Sequence, residues 1–158
     1  MSFSDDEVER YARHLVLREI GGPGQQALRG ARVLIVGAGG LGAPAALYLA
    51  AAGVGRIGLA DPDEVELSNL QRQVLYTEAD IGRPKVVAAE ERLSALNPMI
   101  AISAHATRIT AHNAAEVMRP FDIVLDGTDD FATRFAVNAA CLAEGKPLVS
   151  GAIGRWTG

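Results

Sequence analysis

The sequence predicts an α/β fold in which a doubly wound, mainly parallel sheet is preceded by an N-terminal helix. Three observations predict it. Apolar, β-branched runs alternate with helix-period segments along most of the chain. The first run, 31–36, opens directly into glycines at 37, 39 and 42, the G-x-G-x-x-G spacing at a strand-to-helix turn. Strict alternation of strand and helix requires right-handed crossovers and a parallel sheet covered on both faces.

The amino end reads as a helix. Ser4 and Glu7 form a capping-box pattern, acidic residues fill the first turn, and the helix is expected to run to about Glu19. Gly21-Gly22-Pro23-Gly24 is expected to break it, and a short helical turn near 25–29 leads into the first strand. Beyond it, strands are predicted at 31–36, 56–60, 100–106, 121–125 and 147–151, and helices at 41–53, 83–96, 111–118 and 131–144. Pro84 suits a first-turn position and Asn97-Pro98 stops the helix it opens. The segment 61–82 shows no clear period, which in a compact domain marks a functional loop. The organisation is therefore an N-terminal helical segment, 1–30, and a nucleotide-binding domain, 31–158.

Composition bounds the function. A chain of 158 residues with 49% hydrophobic and 22% charged content is able to bury a core as one domain. A net charge of −4, with aromatics at 5%, argues against a nucleic-acid surface. Between Arg32 and Arg56 lie 23 uncharged residues, enough by count to span a bilayer. Five glycines and Pro44 interrupt them, and a buried strand, turn and Ala-rich helix explain the run without a membrane. The single cysteine, Cys141, leaves neither an internal disulfide nor a cysteine pair for zinc. The acidic start has no apolar stretch of a signal peptide, so a cytoplasmic setting is expected.

Chemistry concentrates after the first strand. Glycines 37, 39, 40 and 42 let the backbone turn sharply and approach a phosphate, with a helix N-terminus aimed at the anion. Asp61, about 20 residues on, ends the second strand where an acid accepts from ribose hydroxyls; the alternative is a strand-end aspartate starting a turn with Pro62. Ser68-Asn69-Leu70-Gln71-Arg72-Gln73, followed by Gly82-Arg83-Pro84-Lys85, converges cations on the phosphate loop, which suits a triphosphate and not a nicotinamide cofactor. Taken singly, Arg72 and Lys85 also fit solvated surface charges. Asp129 and Asp130 follow the fourth strand, as Mg²⁺ ligands or as caps for helix 131–144. Cys141 reads as a buried structural thiol, and His14, His105 and His112 as structural or surface residues.

These segments, together with Arg10-Tyr11-Ala12-Arg13-His14, Ala52-Gly53-Val54-Gly55, Leu96-Asn97-Pro98 and 125–130, resemble the HesA/MoeB/ThiF family in that family's order along almost the whole chain. Such proteins are adenylyltransferases that activate sulfur carriers, relatives of the ubiquitin-activating enzymes. The resemblance implies a Rossmann-like fold, ATP and Mg²⁺. It also implies a small ubiquitin-like partner ending in Gly-Gly, whose carboxylate attacks the α-phosphorus and expels pyrophosphate. By resemblance, Gly37, Gly39, Gly40 and Gly42 line the nucleotide with Ser68, Leu70 and Gln71, and Asp61 holds the ribose. Asn69, Arg72 and Lys85 contact the phosphates, Asp129 binds Mg²⁺ with Asp130 beside it, and Arg13 acts in trans within a homodimer. Arg13, Arg72, Lys85 and Asp129 are thus the implied catalytic set. Two departures stand out: Asp130 where the family commonly has Asn, and an end at Gly158 before the family's carrier-binding strands and zinc-binding cysteine pairs. Molybdenum-cofactor biosynthesis is the expected pathway, with a thiamine-pathway carrier, a non-catalytic nucleotide-binding or dimerising fragment, and an NAD dehydrogenase as alternatives.

Overall fold

A computed structural model describes residues 2–154. Trp156, the lone tryptophan, lies outside them. Five strands, β1 (Arg32–Val36), β2 (Arg56–Ala60), β3 (Ala101–His105), β4 (Ile123–Asp126) and β5 (Leu148–Ser150), form one sheet in the order β3-β2-β1-β4-β5. Every neighbouring pair is parallel. Helices α1 (Asp5–Arg10), α2 (Ala12–Leu15) and α3 (Gly21–Gly30) precede the sheet, and α4 (Gly42–Ala52), α5 (Lys85–Leu96), α6 (Ala114–Met118) and α7 (Phe131–Glu144) connect its strands.

Most of the uncharged run is core, with Tyr48 exposed, and β1 shows why. Val33 and Ile35 pack on one side with Ala43, Ala46 and Ala50 of α4 and Val86, Ala89 and Leu93 of α5. Leu34 and Val36 pack on the other side with Phe121, Met118 of α6, and Val137 and Cys141 of α7. A strand buried on both faces needs continuous apolar sequence. The alanines at 43, 46 and 50 recur on one face of α4, and their small side chains let that helix sit close to the sheet. Cys141 is accordingly a packed thiol, and burial raises its pKa.

Register then positions the site. Val36 pairs with Ala60 on one side and Asp126 on the other, and Ala60 pairs with His105. The carboxyl ends of four strands are therefore level, and the crossover direction reverses between β1 and β4, opening a crevice there.

The N-terminal segment differs from its expected form. A single helix to Glu19 is replaced by two short ones meeting at Tyr11, whose ring is buried beneath Gly53. Gly21-Gly22-Pro23-Gly24 opens α3 instead of breaking a helix. Pro23 falls in the first turn, where its missing N–H costs nothing, and Gly24 N–H donates to Ile20 O (2.8 Å). The capping box of Ser4 and Glu7 is present at α1.

Candidate functional site

The glycine turn is held from both sides. Gly37 N–H donates to Ala60 O (2.8 Å) and Gly127 N–H donates to Val36 O (2.9 Å). Gly37 has φ +89°, and a Cβ there would meet Gly127 and Thr128 at about 3.0–3.2 Å, so the position requires glycine on both counts. Asp61, 6% exposed, accepts from Ala38 N–H through Oδ2 (2.7 Å) and from Asp63 N–H through Oδ1 (2.8 Å). Tyr76 donates its hydroxyl to Ala38 O (2.8 Å). Burial, with the Asp61 and Asp80 carboxylates nearby, drives that phenol far above its ordinary pKa, so it stays protonated and remains a donor. The turn is thus fastened by the protein's own groups.

The aperiodic 61–82 segment folds back on itself. Val65 N–H bonds Arg83 O (2.9 Å), Gly82 N–H bonds Val65 O (2.9 Å), and Lys85 N–H bonds Asp63 O (2.9 Å). Asp80 fastens the return. Its carboxylate accepts from Thr77 N–H (2.8 Å) and Thr77 Oγ1 (2.9 Å) and pairs with Arg83 (3.2 Å) and Arg92 (3.0 Å). One result is that Lys85, its side chain 7% exposed, reaches the cleft with Nζ 3.2 Å from Asp63 Oδ2. Another is that the Arg72 side chain lies along Gly40, about 3.7 Å from where a Cβ would sit, steered by its bond to Ser68 O (3.2 Å). Asn69 Oδ1 caps the local 3₁₀ turn by accepting from Glu66 N–H (3.1 Å).

Asp129 and Asp130 line the opposite wall and Asp126 lies buried behind it. Asp126 accepts from Thr128 N–H (3.0 Å) and Oγ1 (2.7 Å), and its second oxygen faces Arg134 (3.3 Å) and Ser150 (3.3 Å). Asp130 caps α7, accepting from Thr133 N–H (3.0 Å) and Oγ1 (2.6 Å), and pairs with Arg108 (3.4 Å). Those Thr133 bonds, with lesser help from Ala132 N–H and the Arg108 charge, hold its carboxyl below the usual range. Asp129 is exposed and enters no hydrogen bond or ion pair among the described residues.

One cleft of about 810 Å³ gathers Gly37, Gly39, Gly40, Asp61, Asn69, Arg72, Lys85, Asp129 and Asp130. The other four nucleotide candidates stand off it. Gly42 lies behind the turn, Ser68 serves through its carbonyl, Leu70 packs on the core, and Gln71 is exposed. Arg13 is not brought in either. It sits on α2, in a segment docked to the carboxyl ends of α4 and α5 through Gln25 to Ala52 O (2.9 Å) and Arg10 to Leu96 O (3.1 Å). That is the far end of α4, about 16 Å of helix away from the glycine turn.

The cleft is also lined by Gln73, Arg108 and Arg134, to which the sequence assigns no site role. Gln73 stood in the S-N-L-Q-R-Q segment and is buried, its amide nitrogen about 3.5 Å from the Cβ position of Gly39. No local pattern marked Arg108 or Arg134, which reach the cleft only through tertiary packing. Among the described residues no group of three or more His, Cys, Asp or Glu side chains could hold a metal ion. A lone carboxylate such as Asp129 fits only a cation whose remaining ligands are substrate phosphates and water, the habit of Mg²⁺. Nor is any helix among the described residues long and apolar enough to cross a membrane.

The chain is similar to known proteins along its whole length. The ThiF family model matches residues 11–158. A sulfur carrier protein adenylyltransferase of Thermus thermophilus is 50% identical over 158 residues, covering 100% of this chain and 58% of that protein. The probable adenylyltransferase/sulfurtransferase MoeZ of Mycobacterium tuberculosis is 51% identical over 157 residues, 99% of this chain and 40% of that protein. Among solved structures, the E. coli tRNA N6-threonylcarbamoyladenosine dehydratase TcdA in complex with ATP superposes with a TM-score of 0.89 at 29% identity, covering 98% of this chain and 65% of its own. The chain thus spans about half the length of the curated relatives it matches.

Proposed function

The chain belongs to the ThiF family, and from that membership we propose that it is the ATP-binding part of an adenylyltransferase. Its substrate is a small ubiquitin-like sulfur carrier, activated at its C-terminal Gly-Gly carboxylate. The observation that carries the reading is the convergence of the glycine turn, Asp61, Arg72, Lys85 and Asp129 on one cleft at the carboxyl ends of the strands. TcdA, a relative of the same fold, was solved with ATP, and a relative 50% identical is named a sulfur carrier protein adenylyltransferase.

The roles follow from placement. The Gly39 and Gly40 amides and the N-terminus of α4 donate to the phosphates, since the Gly37 and Ala38 amides are already held by Ala60 O and Asp61. Asp61 turns its remaining lone pairs to the ribose hydroxyls. Asn69, Arg72 and Lys85 face the outer phosphates, and Asp129 would hold Mg²⁺, which when bound supplies further neutralisation of phosphate charge. A carrier carboxylate oxygen forms a bond to the α-phosphorus, the bond from that phosphorus to the bridging oxygen breaks, and pyrophosphate leaves with its electron pair. No proton need move, because the carboxylate is already ionised near neutral pH. The protein's work is therefore positioning and charge neutralisation. Arg13, remote from its own cleft, would serve that of a second subunit in a homodimer, and a cytoplasmic setting accords with this chemistry.

ATP–pyrophosphate exchange with carriers of the molybdenum-cofactor and thiamine pathways tests the reading. Carrier-dependent exchange that Arg72→Ala abolishes supports it, with the molybdenum-cofactor carrier expected to be preferred. ATP binding without exchange would assign this chain only the nucleotide-holding role.

A further inference from the structure

We propose that Arg108 faces the nucleobase, its guanidinium plane lying against the ring and oriented by Asp130 across the cleft. The inference rests on the ATP reading above and adds to it a residue that no motif marks.

Register sets the scale. The ends of β1, β2 and β3 are level, since Val36 pairs with Ala60 and Ala60 with His105. Adjacent strands lie about 4.8 Å apart, so the end of β3 is about 10 Å from the glycine turn, with Asp61 midway. That is the order phosphate, ribose, base. A nucleotide with its phosphates on the turn and its ribose at Asp61 places the base against Thr107, Arg108 and Ile109, all of which line the cleft. Ile109 is buried and gives that end an apolar floor.

Arg108 is built to hold its place there. Its backbone is pinned: Asn113 donates Nδ2 to Arg108 O (2.9 Å), while Asn113 Oδ1 accepts from Thr110 N–H (2.8 Å). Its side chain then crosses from the loop after β3 to Asp130 at the start of α7, so two loops that flank β1 and β2 are tied over the crevice between them. Only one guanidinium nitrogen, NH1, reaches Asp130, at 3.4 Å, and the side chain is 55% exposed. One nitrogen is tethered, and about half of the side chain is left accessible to a ligand.

The fold does not need this pair. Asp130 already caps α7 through Thr133, and an exposed ion pair contributes little to stability. A planar cation on an aromatic ring, by contrast, is favourable where water is partly excluded. The pair also gives the extra acid at 130 a partner, so its charge is offset at the cleft and does not oppose a polyanion.

The test compares ATP with inorganic tripolyphosphate, which carries the charge without the base. Equilibrium binding of both would be measured on the full chain and on Arg108→Ala, Arg108→Lys and Asp130→Asn, with thermal midpoints to confirm folding. Arg108→Ala should weaken ATP about tenfold and leave tripolyphosphate unchanged. Lysine should restore little, since it lacks the plane. Asp130→Asn keeps a capping oxygen and should reduce the preference for ATP over tripolyphosphate by a smaller factor. Equal losses for both ligands would make Arg108 a phosphate contact, and no loss for either would remove it from the site; both results overturn the inference. Failure of the unmodified chain to bind ATP would overturn the ATP reading itself, and the inference with it.

Discussion

Gly42 sits so close to Gly37 that a Cβ on the first would fall 1.7 Å from the carbonyl oxygen of the second. That oxygen is backbone and cannot move aside without unseating the turn, which is also fastened to Ala60. Gly42→Ala is therefore expected to cost about 1–3 kcal/mol by overpacking. It should also abolish ATP binding, because the turn itself must shift. Thermal unfolding and nucleotide titration on the same sample check this; a variant binding ATP like the parent would show that the turn is not the cradle.

Asn97 is fully buried and spends its amide on two elements at once. Nδ2 donates to Tyr11 Oη (2.8 Å) and to Ala50 O (2.8 Å), and Oδ1 accepts from Met99 N–H (3.2 Å). Asn97→Ala strips Tyr11 Oη of its donor and Met99 N–H of its acceptor, while Ala50 O keeps Gly53 N–H (3.1 Å), and should cost about 1–3 kcal/mol. Tyr11→Phe keeps the Ala50 bond and should cost less. Chemical denaturation of the two variants gives the order.

Asp80 imposes an acid limit on stability. Burial alone would raise its pKa, but bonds from Thr77 and the charges of Arg92 and Arg83 outweigh it, leaving the carboxyl below its ordinary value. A carboxyl depressed in the folded state stabilises above the unfolded pKa of about 3.9 and loses that contribution as pH falls through the folded value. Asp80→Asn should lower the melting temperature at neutral pH and flatten its decline below about pH 4. Melting curves from pH 2 to 7 would show parallel acid limbs if Asp80 carries none of the effect.

The contrast between α7 and α3 shows what was legible beforehand. Helix α7 runs from Phe131 to Glu144 as expected, because Asp130 caps its start and Gly145 its end, both local signals. Helix α3 starts at Gly21, ahead of the expected 25–29, because glycine and proline read as breakers although Pro23 is tolerated in a first turn and Gly24 N–H bonds Ile20 O. The same division runs through the site. Asp61 is legible by its spacing from the glycines, and Arg72 and Lys85 by the Ser68–Gln73 and Gly82–Lys85 segments that resemble the family. Arg108 and Arg134 reach the cleft from loops after β3 and within α7, and only the folded sheet places them together.

Asp129 is the one acid of its trio left without a partner among the described residues, and a metal role makes a narrow claim. Asp129→Asn should raise the Mg²⁺ concentration needed for half-maximal exchange about tenfold or more. ATP binding in the presence of a chelator should change little. Unaltered Mg²⁺ dependence would return Asp129 to the role of a solvated helix-end charge.

Arg13 poses the sharpest question, because its own cleft lies at the other end of the sheet. If it completes the site of a second subunit, Arg13→Ala and Arg72→Ala should each be inactive alone and should complement when mixed. In a mixed dimer, one cleft keeps its own Arg72 and receives an intact Arg13, while the other lacks both. Random pairing of equal amounts makes half the dimers mixed, so activity should recover to about a quarter of the parent's. Continued inactivity of the mixture, with subunit exchange confirmed by differently tagged copies, would place Arg13 outside the reaction. Full activity of Arg13→Ala alone would do the same, and α2 would then serve to pack against α3.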